Sequence, residues 1–367
     1  MLLRKNSTEI NMNSTLALVM IVKDEASVLE RCLESVLNLV DEIVIVDTGS
    51  TDNTKDIARN FNARIFDYVW EQDFSSARNY ALSQVKSNWC IVLDADEMIS
   101  NDCMQSIRSF INSHEAIGKV KIINKFLGSD GLNYEQIYIS RLFPSHCRYT
   151  GKIHEQIDSD LPRKIIDIEI QHDGYLEKKK SSRNIPILKK VIEENPQDPY
   201  YYYQIAKEYR GLDEHLESNK YLEHAYSLMN LREPYAPRII IDYLYSMINS
   251  NLLHKGLDVI EDNRDFLWDN PDFFFVSGLY LLEVTLSDPE QFISLLPLIE
   301  KYYLRALEIG DSNSEGSVLG TGSFAAHHNL GVYYEATGEL PLAKEQYEQA
   351  AKYNYEPSIE RMKNLLI

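Results

Sequence analysis

Carboxylates gather at three points early in the 367-residue chain: Asp24 and Glu25, Asp47-Thr-Gly-Ser-Thr-Asp52, and Asp94-Ala-Asp96. Each group follows an apolar run of strand length, Leu16–Val22, Glu42–Val46 and Trp89–Leu93. In an open parallel sheet the loops beyond the carboxyl ends of the strands share one crevice, and ligands bind there. Three strands would then bring acids to one place, where they repel one another unless they meet hydroxyls, amides or a divalent cation. No Gly-x-Gly-x-x-Gly or Gly-x-x-x-x-Gly-Lys loop is present to cradle a diphosphate on backbone amides, which argues against a Rossmann dehydrogenase or a P-loop enzyme. A metal would bridge instead: within Asp-x-Asp, one carboxylate can reach a ribose while the other binds Mg²⁺ or Mn²⁺ on the phosphates. Taken alone, Asp-x-Asp reads equally as a helix N-cap or a surface turn.

The elements that must position these acids alternate. After a polar leader over residues 1–14, the first strand is followed by Val28, Leu29, Cys32, Leu33, Val36, Leu37 and Val40 at helical spacing. Ser50–Asp52 offer caps for a helix through Ala58, Ala63–Phe66 makes a third strand, and Ser75–Gln84 a helix before the fourth strand at Trp89. Such alternation predicts a parallel α/β sheet. Ile139–Phe143 reads as a further strand.

Past residue 184 the pattern becomes helical, rich in tyrosine and punctuated by proline. Tyr202, Ile205, Ala206, Tyr209, Leu222 and Ala225 match the large and small spacing of a tetratricopeptide unit, and His327, Leu330, Gly331, Tyr334, Tyr347 and Ala350 match it again. Helices expected between them are Arg238–Asn249, Lys255–Trp268, Asp272–Leu286 and Phe292–Ile309. The tyrosines from Tyr200 to Tyr226 are read as packing between repeat helices, with a peptide-binding concavity as the alternative. The expected division is a catalytic domain over 15–178 and a helical domain over 179–367, with Lys178-Lys-Lys180 a solvated linker.

Four motifs in order, Val22-Lys23-Asp24-Glu25, Asp41 to Asp52, Asp73-Phe-Ser-Ser-Ala-Arg-Asn79 and Leu93-Asp-Ala-Asp-Glu97, together resemble family 2 glycosyltransferases of the GT-A fold, over residues 16 to about 178. The fold class implied is α/β followed by all-α: a GT-A, Rossmann-like, mostly parallel sheet plus a tetratricopeptide-like helical repeat domain. The resemblance further implies a nucleotide-sugar donor, an inverting single displacement and a divalent metal, Mg²⁺ or Mn²⁺. Carried onto this sequence, Val22, Lys23, Glu25, Asp47, Gly49, Ser50, Arg78, Asp94, Ala95 and Asp96 contact the donor. Asp47 and the loop around Glu25 hold the uracil and ribose, Asp94 faces the ribose, and Asp96 faces the metal. Arg78 approaches the diphosphate or the sugar, as a fixed cation at a helix start would. The plainer reading of Arg78 is a salt bridge to Asp73 or Glu71. Asn79 is read as structural.

Tyr149-Thr-Gly-Lys-Ile-His-Glu155 and Ile170-Gln-His-Asp-Gly-Tyr175 resemble a subgroup that pairs this domain with a tetratricopeptide region. It includes enzymes that glucosylate cysteine in bacteriocin (glycocin) precursor peptides, and many presumed surface-glycan transferases. The acceptor must lose a proton as it attacks the anomeric carbon, so Glu155 is the expected general base, and His154 the group that orients the acceptor or a phosphate. His172 is the expected further metal ligand beside Asp96. Each histidine could instead be a hydrogen-bonded structural residue. A thiol acceptor needs less help from a base, being acidic itself.

Composition narrows the partners. The net charge of −19 repels nucleic acid on average. Four cysteines without a Cys-x-x-Cys pair signal neither structural zinc nor disulfides, and are read as reduced cytosolic thiols. No apolar stretch nears the roughly 20 residues of a membrane span, so a cytoplasmic protein is expected. The expected function is transfer of a hexose, glucose or an epimer, from a UDP-sugar to Cys or Ser of a peptide or protein acceptor. The helical domain would recruit the acceptor or form a homodimer. The alternative is a sugar transferase for cell-surface polysaccharide or lipid-linked glycan. A noncatalytic scaffold is disfavoured by Asp47, Arg78, Asp94 and Asp96 occurring together.

Overall fold

The computed structural model describes residues 14–113, 115–128, 131–172, 179–253, 255–312 and 317–365. The leader over 1–13, the Asp173-Gly-Tyr175 part of the last motif and the expected boundary at 178 lie outside them. The chain divides into two compact units. Among the described residues, 14–126 and 136–172 form the first, and 127–128, 131–135 and 179–365 the second.

In the first unit the predicted alternation appears as β1 (Leu16–Val22), α1 (Leu29–Val36), β2 (Glu42–Asp47), α2 (Thr54–Asn60), β3 (Arg64–Asp67), α3 (Phe74–Ser83) and β4 (Trp89–Val92). Then follow β5 (Glu97–Ile99), α4 (Met104–Ser113), β6 (Ile117–Gly128), β7 (Gly131–Pro144), β8 (Arg148–Thr150), β9 (Gln156–Asp158) and β10 (Arg163–His172). Eight strands make one sheet in the order β3-β2-β1-β4-β7-β6-β10-β5, and β8 and β9 pair separately. Neighbours among β3, β2, β1 and β4 run parallel, as do β6 and β10, whereas β7 runs antiparallel to β4 and β5 antiparallel to β10. The sheet is mostly parallel with antiparallel insertions.

The unbroken apolar run of β1 is explained by cover on both faces. Leu16, Leu18 and Met20 pack with Leu29, Leu33 and Val36 of α1 and with Ile107 and Phe110 of α4. Ala17 and Val19 point the other way, toward Ala81 and Leu82 of α3. Burial on both sides fixes the register, since a one-residue slip would exchange the two faces. The strand ends beside the acids are thereby held in place.

The second unit is helical: α5 (Lys179–Glu194), α6 (Pro199–Gly211), α7 (His215–Leu228), α8 (Ala236–Asn249), α9 (Gly256–Asn263), α10 (Pro271–Ser287), α11 (Pro289–Phe292), α12 (Leu296–Ile309), α13 (Phe324–Ala336), α14 (Leu340–Ala351) and α15 (Glu356–Leu365). Three expectations are corrected, the first being the helix over Phe292–Ile309, which starts only at Leu296 after a 3-10 turn over Ile293–Leu295. The helix expected over Lys255–Trp268 ends at Asn263, and turns carry the chain to the Asn270 cap of α10. The lysine run read as a linker instead opens α5 at Lys179. The tetratricopeptide positions behave as their sizes require: Ile205, Ala206, Tyr209, Leu222, Ala225, Leu330, Tyr334, Tyr347 and Ala350 are all buried. Tyr203 is buried as well, and Tyr202, Tyr221 and Tyr226 pack against the same core, as the packing reading expects.

Candidate active site

The loop after β1 and the loop after β2 are laced together. Asp24 Oδ1 accepts the Thr51 N–H at 2.6 Å, and Ser50 Oγ accepts the Asp24 N–H at 2.9 Å. Thr54 Oγ1 accepts the Glu25 N–H at 2.8 Å, and Asp52 Oδ2 that of Ala26 at 3.1 Å. Asp24, Thr51 and Asp52 thus build the loop that carries Glu25. Gly49 has φ +107°, a left-handed backbone that side chains rarely adopt, and it turns the chain back over Asp47.

Asp47 is buried at the end of β2. Its Oδ1 accepts the N–H groups of Gly49 and Ser50 at 3.0 and 2.9 Å, with Lys55 Nζ at 3.4 Å. Burial works against its charge, yet the hydrogen bonds of Ser50 and Gly49 and the field of Lys55 hold its carboxyl below the ordinary value. Its Oδ2 is buried without a partner. An ionised oxygen that its own loop leaves unmatched suits a hydrogen-bond donor such as an imide N–H.

At the end of β4 the residues Asp94-Ala95-Asp96 form a turn into β5, so the helix N-cap reading does not hold. The two acids take different partners. Asp94 Oδ1 accepts from Arg78 Nη2 at 2.9 Å, and Oδ2 from Arg141 Nη2 at 3.1 Å. Arg141, on β7, also reaches Glu97 Oε1 at 2.5 Å, while Glu97 Oε2 accepts the Asp94 N–H at 2.9 Å. Burial opposes the charge of Asp94, but Arg78 and Arg141 hold its carboxyl well below the ordinary range. Burial pushes Glu97 up despite Arg141, and the charge of Asp94 adds to that push.

Arg78 lies on α3, whose first turn Asp73 caps by accepting the Ser76 N–H at 2.9 Å. The plainer expectation of a salt bridge to Asp73 or Glu71 is replaced by pairs with Asp94 and Glu155. Arg78 Nε donates to Glu155 Oε1, and the guanidinium stands 5.6 Å from the centre of the Tyr149 ring. Asn79 exchanges two 2.8 Å hydrogen bonds with the backbone of Tyr149, binding α3 to β8. His154, beside Glu155, has a left-handed backbone with φ 53°.

Asp96 Oδ2 faces His172 Nε2 at 3.3 Å. On the other side of the ring, His172 Nδ1 meets Asn124 Oδ1 at 2.9 Å. A carboxylate and an imidazole side by side are ligand types that suit a divalent cation, so Asp96 and His172 fit a metal. Among the described residues no three His, Cys, Asp or Glu side chains form a ready metal cage. A cation here would complete its shell from phosphates and water.

Arg141, Glu97, Asn124 and Tyr149 are site residues that sequence reasoning missed. The signals available were an arginine inside the apolar strand pattern Ile137-Tyr-Ile-Ser-Arg-Leu-Phe143 and the places of Glu97 and Tyr149 in the quoted motifs.

Residues 17–161 match the pattern of glycosyl transferase family 2. A TPR repeat-containing protein of Synechococcus elongatus is 37% identical over 147 residues, covering 40% of this chain and 36% of that protein. The SPbeta prophage-derived glycosyltransferase SunS of Bacillus subtilis is 28% identical over 252 residues, covering 63% of this chain and 57% of its own length. This chain thus spans less than two thirds of either relative. Glucosyl-3-phosphoglycerate synthase of Mycobacterium tuberculosis, solved with Mn²⁺ and UDP-glucose, superposes with a TM-score of 0.27 at 21% identity, over 31% of this chain and 45% of that one, too slight a likeness to bear on the site. The strand-end acids of the first unit therefore lie within the stretch that matches glycosyl transferase family 2, and a tetratricopeptide-like helical unit follows it in the chain.

Proposed function

We propose that the chain transfers a hexose from a UDP-sugar to a Cys or Ser side chain of a peptide or protein. The observation that supports this most is the meeting of Arg78, Asp94 and Glu155 beside the Asp96–His172 pair. Asp47 and the Glu25 loop take the uracil and ribose. Arg78 takes the diphosphate, because a buried guanidinium offers fixed, permanently charged donors. Asp96 and His172 hold Mn²⁺ or Mg²⁺, which when bound offsets the charge of the departing UDP. The acceptor oxygen or sulfur attacks the anomeric carbon as the bond to UDP breaks, with inversion, and Glu155 takes the acceptor's proton. The helical unit supplies affinity for acceptor parts remote from the reacting atom.

The test supplies UDP-hexoses with Mn²⁺ and a peptide carrying Cys or Ser, and reads UDP release and the peptide's mass. A gain of one hexosyl group on the peptide is expected. Silence with every donor would exclude the reading, and transfer only to a lipid-linked glycan would replace its acceptor.

A further inference from the structure

Arg78 and Glu155 belong to motifs far apart in the sequence, and the fold makes them partners. Arg78 is 8% exposed and divides its donors: Nε to Glu155, Nη2 to Asp94, and Nη1 to nothing, although that nitrogen is buried. Its two carboxylates are not held alike. Asp94 keeps Arg141 on its second oxygen and remains paired if Arg78 turns away. Glu155 pairs with no other cation among the described residues.

A carboxylate engaged by arginine is a poor base, since its lone pair is occupied, its charge is offset, and arginine does not give up its proton. We propose that Arg78 is a latch on Glu155, which a bound nucleotide diphosphate opens by drawing the guanidinium to itself. Nη1, which no acceptor among the described residues holds, has a hydrogen bond to give once the guanidinium turns to a phosphate oxygen. Of the two carboxylates, Glu155 is released, because Asp94 has Arg141 to keep it in place. The freed Glu155 oxygen accepts the proton of the acceptor O–H or S–H, the new bond forms to the anomeric carbon, and UDP leaves with the electron pair of the bond that breaks. The proton passes later to solvent. The latch thus keeps the base covered until a donor is present.

This rests on the proposed transferase reading, and the experiment separates the two. Titration calorimetry of UDP with Mn²⁺ into the full chain compares wild type, Glu155→Gln and Glu155→Ala, each shown first to melt cooperatively. Removing the internal competitor for Arg78 should tighten UDP binding by about five- to tenfold, while transfer falls on the order of 10²-fold. A residue that only holds Arg78 in shape would do the reverse and weaken UDP binding when replaced. Unchanged or weaker binding in the folded variants overturns the latch and leaves the transferase reading standing. Wild type that binds no UDP removes that reading, and the latch with it.

Discussion

Both units bury ion networks, and the two are built differently. In the first, Arg78 and Arg141 face Asp94, Glu97 and Glu155, yet Arg78 Nη1, Arg141 Nε and Asp47 Oδ2 are buried without partners. In the second, Asp242 of α8 meets Arg210 at 3.1 Å, Arg238 at 3.3 Å and the Tyr203 hydroxyl at 3.0 Å. Asp272 of α10 meets Arg238 at 3.4 Å, the Thr321 hydroxyl at 2.5 Å and the Val318 N–H at 3.2 Å. Among the described residues of that unit, no arginine nitrogen or carboxylate oxygen is buried unmatched. An unmatched buried donor costs about 1–3 kcal/mol, which a fold tolerates where a ligand supplies the partner. The matched ion network suits packing, and the unmatched one suits the ligand of the proposed function.

The largest test of this contrast is Asp96→Asn. An amide is a weaker ligand for a hard cation, so transfer should fall on the order of 10³-fold while the unfolding transition stays where it was. Removing the metal with EDTA should silence the wild type to a similar degree. An active Asp96→Asn enzyme, or one that has lost its cooperative melt, would break the distinction between a site network and a packing network.

Asp242→Asn should act in the opposite sense, on stability and not on UDP binding. The amide takes the counter-charge from the half-buried Arg238 and the more exposed Arg210, at a cost of about 2 kcal/mol in urea unfolding at pH 7. Burial alone would raise the Asp242 carboxyl, but the charges of Arg210 and Arg238 hold it at about 2, below the ordinary 3.8. A depressed acid stabilises the fold above its unfolded value, so about 2 kcal/mol is present above pH 4 and disappears as the pH falls through 2. The gap between wild type and variant should therefore narrow over that window. A constant gap would mean that the pair contributes no linked protonation.

The sequence disclosed the parts of this contrast that are local. Strand ends followed by acids, and the 3.6-residue period of α1, can be read along the chain because each depends on neighbours within a few residues. The partners could not be read. Arg141 meets Glu97 and Asp94 only because β7 lies beside β4, and no spacing rule joins residues more than 40 positions apart. Strand alternation would put the two acids of Asp-x-Asp on one face, but they occupy a turn, where it does not apply. The strand β10 was the more legible omission: Ile166, Ile168 and Ile170 alternate with Asp167 and Glu169, and all three isoleucines are buried.

The smallest expected effects come from two glycines of the second unit, and they test whether its repeat core is tuned for fit alone. Gly331 on α13 packs against Tyr347 of α14, and a Cβ there would stand 2.6 Å from a ring carbon. Tyr347 is fully buried, and its hydroxyl donates to Glu335 at 2.7 Å, so the ring cannot swing aside without losing that bond. Gly331→Ala should cost about 1–3 kcal/mol through overpacking. Gly211, at the exposed end of α6, has nothing within 4 Å of such a Cβ and no left-handed backbone, so Gly211→Ala should stabilise by about 0.5 kcal/mol through its better helix propensity. Urea midpoints read both changes, and calorimetry with UDP should show neither. If Gly331→Ala leaves stability untouched, the small position of the last repeat is not set by the tyrosine opposite it. If it alters UDP affinity instead, the separation of packing from donor binding drawn from the two ion networks fails.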